Sequence, residues 1–348
     1  MSARERLIAA AAERVLIKDG PYGTEIQRAK LSPEDYAGDT GLVQDQKGNN
    51  DLVNLTQPQV IRTICDSYIA AGATVLATNT FNANRISQAD YGAEALVHDI
   101  NASAARIIRE ACDDATAKDG LPRFVCGAMG PTNKTLSLSP NVEDPGFREV
   151  TFDEVKQVYR EQITGLLEGG ADFILIETIF DTLNCKAAIM AAKEIEAEQG
   201  HEIPLMISLT LTDLSGRNLS GHTVEAFWNT VRHANPVTIG LNCSFGADQL
   251  RPHVQLLSNV ADTLLMAYPN AGLPNEMGEY DELPETTATL LKQWTDHGRA
   301  NILGGCCGST PAHIAAIAQA VEGAAPRAVP SINPQMRLAG LEPFTIAA

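Results

Sequence analysis

Eight short, nearly unbroken apolar runs punctuate the sequence, at residues 15–20, 74–80, 124–130, 173–178, 204–210, 238–243, 263–270 and 300–307. Runs of this length, rich in Val, Ile and Leu, predict parallel strands covered on both faces. Between them the apolar positions recur at helical spacing. In 57–71, Val60, Ile61, Ile64, Tyr68 and Ile69 share one stripe, and Pro58 suits a first turn. The spacing predicts further helices over 93–117, 152–168, 181–198, 223–234, 248–259, 285–296 and 311–321, with a short first helix within 1–14. Eight strand–helix units in alternation predict a closed (β/α)8 TIM barrel. A doubly wound open sheet is the runner-up, but the first strand–helix turn lacks its GxGxxG fingerprint.

The connections are unequal. Links from helix to strand are short and glycine-rich, as at 71–73, 169–172 and 297–299. Links from strand to helix are long and polar: 23–56, 81–92, 131–151, 211–222 and 271–284. Long loops in a compact domain are usually functional, and these all leave the C-terminal ends of strands, the rim where barrel active sites lie. Residues 1–325 are expected to form the barrel. Residues 326–348, with Pro326, Pro330, Pro334 and Pro343, read as an extended exit or linker.

Composition narrows the class. The chain has 348 residues, and its net charge of -17 repels phosphate backbones, so nucleic acid is not an expected partner. No apolar run reaches the roughly 18 residues of a membrane helix, and the charged, Ala-rich start lacks a signal peptide's apolar core. Seven scattered cysteines form no disulfide framework; they fit a reducing compartment, the cytoplasm.

Three of those cysteines stand out. Cys243 ends the sixth run, and Cys306 and Cys307 end the eighth inside Gly304-Gly305-Cys306-Cys307-Gly308. Two strand ends separated by one strand can bring three thiolates around one metal. Zinc on three protein ligands with one open position is the catalytic arrangement. Adjacent cysteines cannot both face inward from a regular strand, so the strand must end before them. The plainer alternatives are small buried hydrophobes or a redox pair. Cys65, Cys112, Cys126 and Cys185 sit within element patterns and read as core. None of the seven histidines accompanies a cysteine motif; His222 is the nearest candidate for the rim.

Three thiolates on Zn²⁺ leave net charge −1, which suits holding a substrate thiol as a nucleophilic thiolate rather than activating water. That chemistry is thiol S-alkylation. Asn270, at the end of the strand between the two cysteine-bearing ones, either fills the fourth position when substrate is absent or simply opens its loop. Asp19 and Glu177 also end strands; each can hold a substrate ammonium, or Glu177 can serve a structural ion pair. The turn from Asp19 through Gly23 and Thr24 leads into a loop whose N–H groups can receive a carboxylate. An amino acid bearing a thiol is the substrate these features describe.

These residues resemble the zinc-dependent homocysteine S-methyltransferase family, and in particular the homocysteine-binding module of cobalamin-dependent methionine synthases. The likeness runs through Asp19-Gly20, Gly23-Thr24, 47–51, Thr78-Asn79-Thr80-Phe81, 130–133, Ile176-Glu177-Thr178, 240–243, 269–274, 304–308 and the exit 337–343. The resemblance implies zinc on Cys243, Cys306 and Cys307. It implies homocysteine bound through sulfur, with Asp19, Gly23, Thr24, Asn79 and Glu177 at its amino-acid end. The homocysteine thiolate then attacks the methyl of methylcobalamin, which is recharged from 5-methyltetrahydrofolate, and methionine is the product. The corrinoid-binding and folate-binding partners would be other modules or subunits, because the likeness covers neither; this chain is expected to hold no cobalamin itself. Pro21-Tyr22 departs from the small residue and Met usual in that turn. Rival readings keep the substrate and change the donor, to S-methylmethionine, betaine or another corrinoid protein, or make the chain a zinc- or thiol-binding subunit without turnover.

Overall fold

The computed structural model describes residues 1–346; the last two residues of the 326–348 exit segment lie outside it. All eight apolar runs contain strands: β1 (Leu16–Ile17), β2 (Val75–Ala77), β3 (Phe124–Met129), β4 (Phe173–Ile179), β5 (Leu205–Leu209), β6 (Thr238–Gly246), β7 (Leu264–Asn270) and β8 (Ile302–Leu303). Every residue of β3 and β7 is buried, which is why these segments read as continuous apolar runs rather than as alternating ones. The strands form one sheet in the order β1-β8-β7-β6-β5-β4-β3-β2, and a parallel bridge between Lys18 and Val75 links its two ends. The fold is a (β/α)8 TIM barrel.

After α1 (Ala3–Glu13), the first strand–helix connection carries three short helices that the periodicity did not anticipate. They are α2 (Tyr22–Arg28), α3 (Pro33–Ala37) and α4 (Val53–Thr56), and none is long enough to show a repeat. The other helices are α5 (Pro58–Ala70), α6 (Arg85–Gln88), α7 (Val97–Asp119), α8 (Phe152–Glu168), α9 (Thr182–Gln199), α10 (Val224–Val231), α11 (Ala247–Val260), α12 (Pro284–Asp296) and α13 (Pro311–Ala320). Their starts are fixed by local chemistry. Thr151 caps α8 and receives Glu154 in return, and Thr310 does the same with His313 at α13.

Two compact units share the chain: Met1–Pro21 with Ser67–Val75 and everything from Pro204 onward, and Tyr22–Asp66 with Leu76–Ile203. In the first, the core lies between β5–β8 and the helices that follow them, with Trp294, Tyr268 and Phe227 fully buried. The second is built on β3 and β4, where Phe124 and Phe173 meet edge to face at 6.0 Å. Beyond α13 the exit segment is not uniformly extended. Arg327 is buried and gives its guanidinium to the carbonyls of Ser258, Ala261 and Thr263. Strands β9 (Met336–Ala339) and β10 (Pro343–Ile346) then pair as an antiparallel hairpin, which Thr223 N–H holds by donating to Leu341 O at 3.0 Å. Among the described residues no helix is long and apolar enough to cross a membrane.

Candidate metal centre

The centre lies at the ends of β6, β7 and β8, all in the first unit. β6 and β7 pair regularly up to Asn242 opposite Tyr268, then the register jumps to Gly246 opposite Asn270. Cys243, Ser244 and Phe245 therefore stand against Pro269 alone, a bulge placed where proline has no N–H for the ladder. Cys243 and Ser244 both adopt left-handed backbone, with φ of 61° and 62°. For non-glycine residues that conformation costs on the order of 1–3 kcal/mol each, and such strain gathers at functional sites.

β8 stops at Leu303, three residues before the cysteine pair. The chain then crosses β7's end in an irregular path: Cys306 N–H donates to Pro269 O at 2.7 Å and Ala271 N–H to Cys307 O at 3.0 Å. Gly308 has φ of 79°, and a Cβ there would lie 2.3 Å from the Tyr280 Cβ, so only glycine fits beneath that side chain. The pair and the bulge together bring Cys243, Cys306 and Cys307, each half-buried, to within 4.8 Å of one another at sulfur. Cys243 Sγ and Cys307 Sγ are 3.7 Å apart. Tetrahedral ligation with bonds of about 2.3 Å requires sulfurs roughly 3.8 Å apart, so the donor set fits one zinc ion with little movement. Among the described residues no other group of His, Cys, Asp or Glu converges in this way.

Three thiols this close cannot ionise independently. Hydrogen bonds from Cys243 and Cys306 hold the Cys307 thiol well below its ordinary range, and the Tyr280 hydroxyl also donates to it. Cys306 is pushed well above that range by its hydrogen bonds to Cys243 and Cys307 and by burial. At Cys243 the Cys306 hydrogen bond pulls the thiol down, but the Cys307 hydrogen bond and burial outweigh it and the net shift is upward. Charge on one thiol thus disfavours charge on its two neighbours. A metal entering the cluster must displace protons, so uptake strengthens as pH rises and is lost in acid.

The surroundings hold the sulfurs in place. Asn242 Nδ2 donates to Cys306 Sγ at 4.0 Å, and Asn242 Oδ1 accepts from Ser208 Oγ at 2.6 Å. Asn270 is buried, and its Oδ1 has no hydrogen-bond partner among the described residues. A buried amide oxygen left unpaired is costly unless something completes it, and Asn270 is joined through its neighbours Pro269 and Ala271 to the backbone of both paired cysteines. Tyr280, from the loop after β7, is pushed up to about 12 by burial and then by the charge on Cys307. Neither Tyr280 nor Asn242 is singled out by the sequence pattern; Asn242 is at least flagged by its place beside Cys243.

Asp19 belongs to the same unit as the cysteines. It is fully buried one turn after β1, its N–H donates to Val75 O at 3.0 Å, and its Oδ1 accepts from Lys18 Nζ at 2.9 Å. The other anticipated substrate residues belong to the second unit. Gly23 and Thr24 lie half-buried in α2. Asn79 follows β2 and uses its Nδ2 to donate to Asn50 O at 2.7 Å. Glu177, nearly buried on β4, precedes Thr178, whose φ is 57°. Cys65, Cys112, Cys126 and Cys185 are buried free thiols. His222 is half-buried beside Ser220 and contributes nothing to the thiol cluster.

Comparison with known proteins bears on the family and the fold. A family model described as homocysteine S-methyltransferase matches residues 16–321. The oxidized form of the homocysteine methyltransferase MmuM from Escherichia coli is similar at a TM-score of 0.70 and 21% identity, over 91% of this chain and 99% of that one. Its metallated form is similar at a TM-score of 0.69 and 23% identity, over 90% and 98%.

Proposed function

The chain belongs to the homocysteine S-methyltransferase family, and we propose that within it this chain is the zinc-dependent, homocysteine-binding module of a cobalamin-dependent methionine synthase system. The observation that carries the reading is the convergence of the Cys243, Cys306 and Cys307 sulfurs within 4.8 Å. These residues hold zinc, which when bound supplies the Lewis acid that keeps a homocysteine sulfur deprotonated near neutral pH. Asn270 offers its unpaired Oδ1 as the fourth donor in the absence of substrate. Asp19 and Glu177 take the substrate ammonium, and Gly23, Thr24 and Asn79 serve the amino-acid end, as the family resemblance assigns them.

The reaction is a displacement at carbon. A sulfur lone pair of homocysteine forms the new C–S bond, and the methyl leaves its donor without the bonding electron pair, giving methionine. The donor in this reading is methylcobalamin presented by a corrinoid-binding module or subunit and recharged from 5-methyltetrahydrofolate on a folate-binding one. One stretch supports that donor: the exit 337–343 resembles methionine synthase in particular. The seven free thiols fit work in the cytoplasm.

A second reading changes the donor to S-methylmethionine, betaine or a different corrinoid protein. It is favoured by similarity over 99% of the length of a homocysteine methyltransferase, MmuM. One experiment separates the two. Zinc content is measured on the purified chain, and methionine formation from homocysteine is followed with methylcobalamin, with S-methylmethionine and with betaine. Zinc-dependent demethylation of methylcobalamin is the expected result. Turnover with S-methylmethionine or betaine alone transfers the function to the second reading, and a chain that takes up no zinc overturns both.

A further inference from the structure

We propose that Lys18 is a positioning residue for the amino-acid end of the substrate, holding the Asp19 carboxylate ionised and aimed where homocysteine's ammonium is received. The inference rests on the homocysteine reading above and adds a residue that the family resemblance does not assign.

Lys18 follows β1 directly, and only 4% of it is exposed. A lysine buried this far is costly unless it is paired. Its Nζ meets both Asp19 and Tyr268. It donates to Asp19 Oδ1 at 2.9 Å, and it lies 4.6 Å from the centroid of the Tyr268 ring, within cation–π range. Tyr268 stands on β7 two residues before Asn270, and its backbone pairs with Asn242, next to Cys243. The stem of Lys18 is level with the start of the cysteine turn. Lys18 N–H donates to Leu303 O at 2.7 Å, and a Cβ on Gly304 would lie 2.8 Å from the Lys18 Cβ. Gly304 is therefore glycine because Lys18 passes there, two residues ahead of Cys306.

The backbone after Asp19 is fixed as well. Tyr68 packs so closely on Gly20 that a Cβ would meet its hydroxyl at 2.7 Å, and that hydroxyl donates to Pro21 O at 3.0 Å. With the turn held, the hydrogen bond from the Lys18 ammonium restrains the Asp19 side-chain torsion. Lys18 also acts on charge. A fully buried carboxylate deprived of its cation is driven toward the neutral acid, and a neutral acid holds an ammonium far less well than a carboxylate does.

The test uses the zinc-loaded full chain and two thiols, L-homocysteine and 4-mercaptobutyrate, which is homocysteine without its amine. Titration calorimetry gives Kd for each. The wild type is expected to prefer homocysteine. Lys18→Met is expected to reduce that preference roughly tenfold, the size of one charge-assisted hydrogen bond, with zinc content and 4-mercaptobutyrate affinity unchanged. Lys18→Arg, which keeps the charge, is expected to recover part of the preference. In Asp19→Asn the share of the preference that Asp19 supplies is already lost, so adding Lys18→Met changes nothing further. An undiminished preference in Lys18→Met overturns the proposal, as does equal loss for both thiols, which marks a purely structural pair. If Lys18→Met does not fold, Lys18→Gln against Lys18→Arg makes the same comparison, and equal preference in those two overturns it. A wild type that binds both thiols equally removes amine recognition from the homocysteine reading itself, a failure visible before any variant is made.

Discussion

The ends of β6–β8 and the loop 46–54 are both polar, tightly hydrogen-bonded stretches of one chain, built on opposite principles. The loop joins neutral amides to one another. Asn49 and Gln88 exchange donors at 2.9 and 3.2 Å, Gln46 donates to Tyr91 O at 2.8 Å, and Asn54 donates to Asn79 O at 2.6 Å. The strand ends instead crowd three ionisable thiols together and place two non-glycine residues in left-handed backbone. A network whose members largely satisfy each other, here with the Asn54 Oδ1 as its exception among the described residues, specifies a conformation. A cluster in which charge on one thiol raises the cost of ionising its neighbours gains most from a cation that neutralises them. On the proposed function, the cation this donor set suits is a thiophilic divalent metal.

The largest effect should come from breaking the thiol cluster. Cys306→Ala leaves two thiols and is expected to weaken zinc binding by a factor on the order of 10³ or more, because ligand bonds supply most of the binding free energy of such a site. The metal-free variant should melt within a few degrees of the metal-free wild type, since the turn around residue 306 is held by backbone bonds to Pro269 and Ser309. Elemental analysis after dialysis against a chelator, with thermal unfolding followed by circular dichroism, checks both halves. Full zinc content in this variant would remove Cys306 from the ligand set.

How much of this was legible in the sequence differs between the two regions for the same physical reason. The barrel was readable because parallel strands buried on both faces leave continuous apolar runs, and all eight runs contain strands. The three cysteines were readable because thiols at matching strand ends, framed by glycine, are rare without a purpose. The left-handed backbone of Cys243 and Ser244 was not, since neither residue type advertises that conformation. Lys18 was hidden inside an apolar run, where one cation looks like noise. Tyr280 reaches Cys307 from a loop 27 positions earlier, and no local spacing encodes that contact. The amide network of 46–54 was invisible for a related reason, because its partners Gln88 and Tyr91 lie about 40 residues downstream.

The second prediction sharpens the comparison from the satisfied side, where the loop contains one ionisable exception. Asp51 is fully buried, and burial raises its carboxyl from 3.8 to about 7, against the opposing N–H bonds from Asn82 and its own backbone. The folded chain thus binds this proton more tightly than the unfolded one. The stability it contributes is complete below about pH 4 and is lost as pH rises toward 7, by at most roughly 4 kcal/mol. Asp51→Asn keeps an oxygen for the Asn82 N–H, now 2.9 Å from Asp51 Oδ1, and cannot ionise. Its denaturant stability is expected to be flatter than that of the wild type between about pH 4 and 7, with zinc content unchanged. Parallel pH slopes for the two proteins would show that Asp51 is not held neutral.

The smallest effect concerns Tyr280, a neutral hydrogen-bond donor to the cluster from outside its strands. Its hydroxyl donates to Cys307 and its side chain rests on Gly308. Donation to a thiolate withdraws electron density from the sulfur, so Cys307 should give less charge to a bound metal with Tyr280 present than without it. Tyr280→Phe keeps the ring over Gly308 and removes only the donor. The expected change in zinc affinity is less than about tenfold, of the size of one hydrogen bond to a charged group. The direction is toward tighter binding at alkaline pH, where the thiols are already ionised. At lower pH the same deletion works the other way, because the Cys307 thiolate loses a stabilising donor and competes less well with protons. The two proteins' affinity curves should therefore cross as pH falls. Chelator competition across that range detects the crossing, and the sulfur-to-metal charge-transfer band of the cobalt-substituted protein, expected to move to lower energy in Tyr280→Phe, gives a readout independent of affinity. Superimposable curves and bands would place Tyr280 with the hydrogen-bonded scaffold, as in the loop, rather than with the thiol cluster.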